Sequence, residues 1–169
     1  MALLTVVSGV AGVLAIAAAG SLLLPRQVHV ERQMTLQAEP HDILALAASN
    51  TGYQSFNPYM STDPDLSITH FGPSEGVGSG FHFDGKDGKG SQTVAAVTEQ
   101  SVSYAIDLGP MGQPTQTISV NPAATGSLVI WSMDADLGMN PIARIIGRFM
   151  DSMMGKTFEK GLKNLASAT

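Results

Sequence analysis

The sequence predicts an α+β fold in which an antiparallel sheet curls around one long C-terminal helix, held behind a single transmembrane helix. Three observations predict it. The first charged side chain is Arg26, and everything from Ala2 to Leu24 is apolar, small or hydroxyl-bearing. From Val28 onward come an alternating segment, a short helical segment and six further strand-like segments, divided by glycine and proline. From Pro141 onward, apolar residues recur every three or four positions. Residues 1–25 are read as an anchor and residues 26–169 as one soluble domain.

At about 1.5 Å per residue the run Ala2–Leu24 spans roughly 35 Å as a helix, enough for a hydrocarbon core of about 30 Å. A helix satisfies its own backbone hydrogen bonds, so it sits in lipid without penalty. Ala17-Ala18-Ala19-Gly20-Ser21 resembles a small-residue cleavage site, but no basic stretch precedes the run, and Leu22, Leu23 and Leu24 extend it. A retained single-pass anchor in the cell membrane is the expectation. Arg26 and Arg32 follow the run and no Lys or Arg precedes it, which favours a cytoplasmic domain. Ser8, Ala11, Gly12, Ala15 and Ala19 place small residues along one face. Such a face is either a docking stripe for a helix of a larger membrane complex or the ordinary composition of an anchor.

The remainder is the size of one domain able to bury a core. Its formal charge of -5 belongs to a chain without basic runs, so nothing is gathered to neutralise phosphates and nucleic acid is not an expected partner. The chain has no cysteine, which suits either redox compartment.

The elements follow in order. Val28, Val30, Met34 and Leu36 alternate as a half-buried strand, with Arg32 on the same side. Pro40 opens a short helix carrying Ile43, Leu44, Leu46 and Ala47, and Asn50-Thr51-Gly52 ends it. An irregular piece with Tyr53, Phe56 and Tyr59 leads to strands at 66–71, 80–84, 91–99, 102–108, 116–120 and 128–133. Asn140 is a good N-cap and Pro141 a good first-turn residue. Behind them Ile142, Ile145, Ile146, Phe149, Met153, Phe158, Leu162 and Leu165 read as one apolar stripe.

No catalytic constellation emerges. His29, His41, His70 and His82 are scattered, and His70 and His82 fall on opposite strand parities, so a shared metal is not expected. Asp84-Gly85-Lys86-Asp87-Gly88-Lys89-Gly90-Ser91 lacks the order of a phosphate loop and reads as a hairpin. Asp134-Ala135-Asp136-Leu137-Gly138 fails calcium-loop spacing, with Ile145 at the closing position. No Gly-x-Ser-x-Gly elbow exists. No cofactor or metal is expected.

Several local patterns resemble the SRPBCC superfamily of helix-grip proteins, which includes START-like lipid-transfer domains and polyketide cyclase/dehydrase-like proteins. They are Val30-Glu31-Arg32 through Ala38-Glu39-Pro40, Gly76-Val77-Gly78-Ser79-Gly80, Gly88-Lys89-Gly90, Thr125-Gly126 to Val129-x-Trp131, and Phe158-Glu159-Lys160-Gly161-Leu162-x-x-Leu165. Where relatives often carry tryptophan, this chain has Phe56, Tyr59, Phe81 and Phe83. The resemblance implies a cavity between sheet and helix, a standard site for an apolar ligand. Its implied lining is Ile68, Phe81, Phe83, Val102, Tyr104, Ile106, Phe149, Met150, Met153 and Met154. Flexible methionine suits an adaptable wall or a packed core equally. Arg32 has the parity to meet an anionic head group or a carboxylate of the chain itself. Three functions follow: a membrane-tethered carrier of an apolar small molecule or lipid, a non-catalytic accessory subunit of a membrane complex, or a cyclase-type enzyme.

Overall fold

The computed structural model describes residues 20–169. Its strands are β1 (Gln27–Leu36), β2 (Ser67–Phe71), β3 (Gly80–Gly85), β4 (Gly88–Val97), β5 (Ser101–Asp107), β6 (Thr115–Pro122) and β7 (Ser127–Asp136). The helices are α1 (Pro40–Ala48), α2 (Asn50–Phe56) and the closing α3 (Pro141–Ala168). The strands form one antiparallel sheet in the order β1-β7-β6-β5-β4-β3-β2. Consecutive strands β1 and β2 therefore lie at opposite edges, and α1 and α2 lie in the connection between them. The helix-grip expectation for the domain holds. The proposed anchor and its small-residue face (Ser8, Ala11, Gly12, Ala15 and Ala19) lie outside the described residues. Among the described residues no helix is long and apolar enough to cross a membrane.

The short helical segment departs from the sequence reading. Asn50-Thr51-Gly52 does not end helical structure; the chain breaks for one extended residue, Ser49, and resumes as α2. The Ser49 hydroxyl accepts from the Gly52 amide at 3.2 Å, and buried Asn50 donates to the carbonyls of Phe71 and Pro73 at 3.2 Å each. Residues that stop one helix also cap the next. Tyr53 and Phe56, three apart, thereby point from one face of α2 into the core. The Asp84–Ser91 segment is a hairpin, with Gly85 opposite Gly88.

The start of α3 is fixed from two sides. Asn140 Oδ1 accepts from the amides of Ile142 and Ala143 at 3.0 and 3.2 Å, a side-chain N-cap. Arg144 is buried, and its guanidinium donates to the carbonyls of Leu22, Leu24 and Gly138. Arg26 makes a two-pronged ion pair with Asp136, both contacts at 2.6 Å, while the Leu137 amide donates to the Arg26 carbonyl at 2.8 Å. The neck leaving the apolar run is thus stapled to the junction of β7 and α3.

The apolar positions of α3 do not form one stripe. Phe158, Leu162 and Leu165 are core residues, whereas Ile142, Ile145, Ile146, Phe149 and Met153 are exposed. Two glycines let the helix lie close to the sheet. A Cβ at Gly161 would overlap the Trp131 ring, and one at Gly155 would overlap the Arg32 guanidinium. Gly161→Val is therefore expected to cost about 1–3 kcal/mol of stability by overpacking, read as a lower denaturant midpoint. Lys163→Ala, at an exposed position, should leave the midpoint unchanged.

Candidate functional site

Cross-strand register builds the inner wall in rows, since directly opposed residues share a face. One row runs Phe81, Gln92, Ile106; the next Val94, Tyr104, Gln116, Met133, Val30; a third Val102, Ile118, Trp131, Arg32. Onto these rows α2 lowers Tyr53. Its ring centroid lies 4.8 Å from Phe56, 5.4 Å from Phe81, 5.5 Å from Tyr104 and 6.2 Å from Trp131. Trp131 stacks on Phe158 of α3 at 5.1 Å, the planes 11° apart. The contacts sit in the range where aromatic pairs add to simple burial. A space of only about 10 Å³ remains beside Ala47, Tyr53, Phe81, Gln92 and Tyr104. That is room for about one water at most.

The polar atoms in this hub are satisfied. The Tyr104 hydroxyl donates to the Ala47 carbonyl at 2.8 Å, and Trp131 Nε1 donates to Gln116 Oε1 at 3.0 Å. Burial pushes the Tyr53 and Tyr104 phenols well above their ordinary range, because a phenolate would be stranded away from water. Tyr104 is a structural donor to α1 here, with its proton committed.

Of the cavity residues predicted from sequence, Phe81, Val102, Tyr104 and Ile106 are buried in the wall. Ile68, Phe83, Met150 and Met154 are partly buried and pack against its edge. Phe149 and Met153 are corrections: they are 62% and 61% exposed and face away from the sheet. The three-and-four spacing placed them correctly relative to Ile142 and Ile146 but on the wrong side of the helix.

Arg32 meets carboxylates of its own chain. Nη1 and Nη2 bond the two Asp151 oxygens at 2.9 and 3.1 Å, and Nε bonds Glu159 Oε1 at 3.1 Å. Nη1 also donates to the Glu31 carbonyl at 2.7 Å and Nη2 to the Asp151 carbonyl at 3.2 Å. These contacts occupy all five guanidinium donors, leaving none for a ligand head group. They tie β1 to α3, and the charge-assisted bonds lower the Asp151 pKa. Sequence reasoning missed Asp151 and Gly155, whose four-residue spacing puts a carboxylate and a gap on one helix face.

On the opposite sheet face lies an open cleft of about 480 Å³. Ser67, Thr69, His82, Ser91 and Asp107 line it. The His82 ring lies against Phe71 at a tilt of 41°, with centroids 4.7 Å apart. His70 lies opposite Phe81 and His82 opposite Thr69, so the two imidazoles belong to different faces. Nothing in the sequence pointed to this cleft, because its row of Thr69, His82, Ser91 and Asp107 is ordinary outward-facing strand chemistry.

Fold and wall together define a helix-grip protein with an apolar interior. The comparisons place it further: residues 27–169 match the family described as polyketide cyclase / dehydrase and lipid transport, and the chain belongs to that family. No curated protein matches the chain in sequence. Among solved structures it is similar to a Thermobifida fusca protein (TM-score 0.64, 20% identity, covering 82% of this chain and 90% of that one). It is also similar to major latex-like protein 151 of Panax ginseng (TM-score 0.61, 13% identity, 85% and 97% covered). A third likeness is the di-domain ARO/CYC StfQ from the steffimycin biosynthetic pathway (TM-score 0.60, 10% identity), of which the match spans 50%. At these identities the structural likenesses establish the fold.

The ion pairs predict an acid limit to stability. Hydrogen bonds from Arg26 and from the Gly138 amide hold the Asp136 pKa down at about 2, and Arg32 lowers that of Asp151. Both carboxyls bind protons more readily once unfolded, where a carboxyl titrates near about 3.9. Their contribution is therefore complete above about pH 4 and lost as pH falls toward 2. His29 has the opposite sign: its bond to Asp134 at 2.8 Å raises its pKa, so its contribution is lost as pH rises through that raised value. Denaturant midpoints should drop between pH 5 and pH 2, and Asp136→Asn with Asp151→Asn should flatten that drop.

Proposed function

We propose that the chain is a membrane-anchored, non-catalytic helix-grip protein that takes an apolar small molecule or lipid against the partly open side of its interior. The observation that carries the reading is the uneven closure of the wall. Beside Tyr53, Phe81, Gln92 and Tyr104 the space is only about 10 Å³. Ile68, Phe83, Met150 and Met154 on the other hand are apolar, inward by register or contact, and only partly buried. The two methionines on α3 can make room by rotamer change alone, without moving the helix that Arg32 clasps. Membership of a family described by lipid transport as well as cyclisation supports the same ligand chemistry. The anchor is the run Ala2–Leu24, and Arg26 and Arg32 favour a domain on the cytoplasmic side.

A second reading is supported by the tightness of the aromatic hub. A hub packed this closely also suits an accessory subunit that docks on a membrane complex through Ala11, Ala15 and Ala19 and holds no ligand.

The full chain in detergent or nanodiscs should bind a fluorescent fatty-acid-like or isoprenoid-like probe, and Met154→Trp should weaken that binding at least severalfold by occupying the space. Carbonate washing should leave the chain in the membrane pellet. Absence of binding by every apolar probe, with a membrane subunit copurifying instead, would move the assignment to the accessory reading.

A further inference from the structure

The first half of α3 is amphipathic in the reverse sense. At about 100° per residue, Ile142, Ile145, Ile146, Phe149 and Met153 share one arc of the helix. All five are exposed, Ile142 to 69%. The opposite arc faces the domain and carries small or polar groups. Arg144 is buried there, and Asp151 holds Arg32. Gly147 lies close against Leu137 and Val28, and Gly155 against Arg32. A helix turned this way in water exposes its apolar arc at a cost, and such a contiguous patch marks a surface that something else covers.

The chain itself indicates what covers it. Arg144 donates from this stretch of helix to the carbonyls of Leu22 and Leu24, the last residues of the uncharged run. Leu23, between them, is 89% exposed. Met139, beside the helix start, is 68% exposed, and its Sδ lies 3.5 Å from Arg144 Nη2. The exit of the apolar run and the apolar arc therefore meet at the same end of α3. Farther along the same arc the chemistry changes to Lys156, Lys160 and Lys163. Apolar residues nearest the exit and lysines farther from it match the layering of acyl chains and anionic phosphates at a bilayer surface.

We infer that the outward arc of α3 from Ile142 to Met153 lies on the lipid surface of the membrane that holds the chain, with Lys156, Lys160 and Lys163 at its phosphates. This rests on the anchor proposed above. From Ile142 to Met153 the arc runs about 17 Å along the helix axis, long enough to seat the domain in one fixed tilt. The partly buried Met150 and Met154 sit beside this arc, so the side of the interior proposed to admit ligand is brought next to lipid.

Because the chain has no cysteine, single labels are clean. The full chain would be reconstituted in vesicles of equal parts phosphatidylcholine and phosphatidylglycerol. An environment-sensitive fluorophore would be placed at Ile146→Cys, at Met153→Cys, or at Glu99→Cys on the exposed turn between β4 and β5. The expected result is a blue shift at Ile146→Cys and Met153→Cys together with loss of emission when nitroxide-bearing lipids are added, and neither effect at Glu99→Cys. A blue shift that nitroxide lipids do not quench means that protein covers the arc, and overturns the inference. Water-like emission at both helix positions, in a chain that survives carbonate washing, overturns this inference and leaves the anchor standing. Release of the whole chain by carbonate overturns the anchor and this inference together.

Discussion

The closing helix must lie against a sheet that offers it two large inward side chains, Trp131 and Arg32, neighbours in one cross-strand row. A helix bearing ordinary side chains at both crossings would stand off by the width of those groups. Gly161 and Gly155 remove the obstruction, one where α3 crosses Trp131 and the other where it crosses Arg32. Once the helix is that close, Trp131 stacks on Phe158 and Arg32 reaches both Asp151 and Glu159. The two contacts differ in kind. Stacking and burial at Trp131 supply the larger stabilisation, since a buried aromatic pair gains area and geometry together. The Arg32 clasp is partly exposed and water-screened, so its main consequence is register: five bonds from a planar group accept only one helix position.

That placement explains how the interior is divided. α2 delivers Tyr53 and Phe56 onto the same Trp131, filling the hub from the opposite side. Tyr53, Phe56, Phe81, Tyr104, Trp131 and Phe158 are buried as one cluster between sheet and helices. On α3 the inward-packing methionines, Met150 and Met154, lie between Gly155 and the start of the helix. Rigid aromatics fill the hub, whereas the thioethers of Met150 and Met154 can change rotamer beside the Arg32 clasp without breaking it.

Much of this was legible in the sequence. Alternation gave the strands, Asn140-Pro141 gave the start of α3, and the domain's order of elements led to the helix-grip architecture. Two things were obscured, each for a physical reason. The pair Asn50-Gly52 looks like a helix stop, yet Ser49 is also an N-cap, and a cap signal does not say on which side of it the helix lies. The apolar stripe of α3 looked continuous because its gaps are all small. The step from Met153 to Phe158 is five residues, however, and five residues turn a helix by about 140° relative to where they began. One face ends there and another begins. The inward face of the first half was hidden because it is built from Arg144, Gly147, Asp151 and Gly155, types that hydrophobic periodicity ignores.

The same five-residue step separates two surface chemistries. Beyond it α3 is apolar toward the sheet and cationic outward. Before it the helix is polar toward the sheet and apolar outward, an arrangement that is unfavourable in water and favourable at a surface that is itself apolar. The polar inward groups have specific tasks: Arg144 holds the neck, Asp151 holds β1, and the glycines admit Arg32 and Leu137. Exposing five apolar side chains is therefore no accident of a failed stripe. The inward arc is committed to clasping the neck and β1, and the outward arc is left apolar at the end of the helix where the uncharged run emerges.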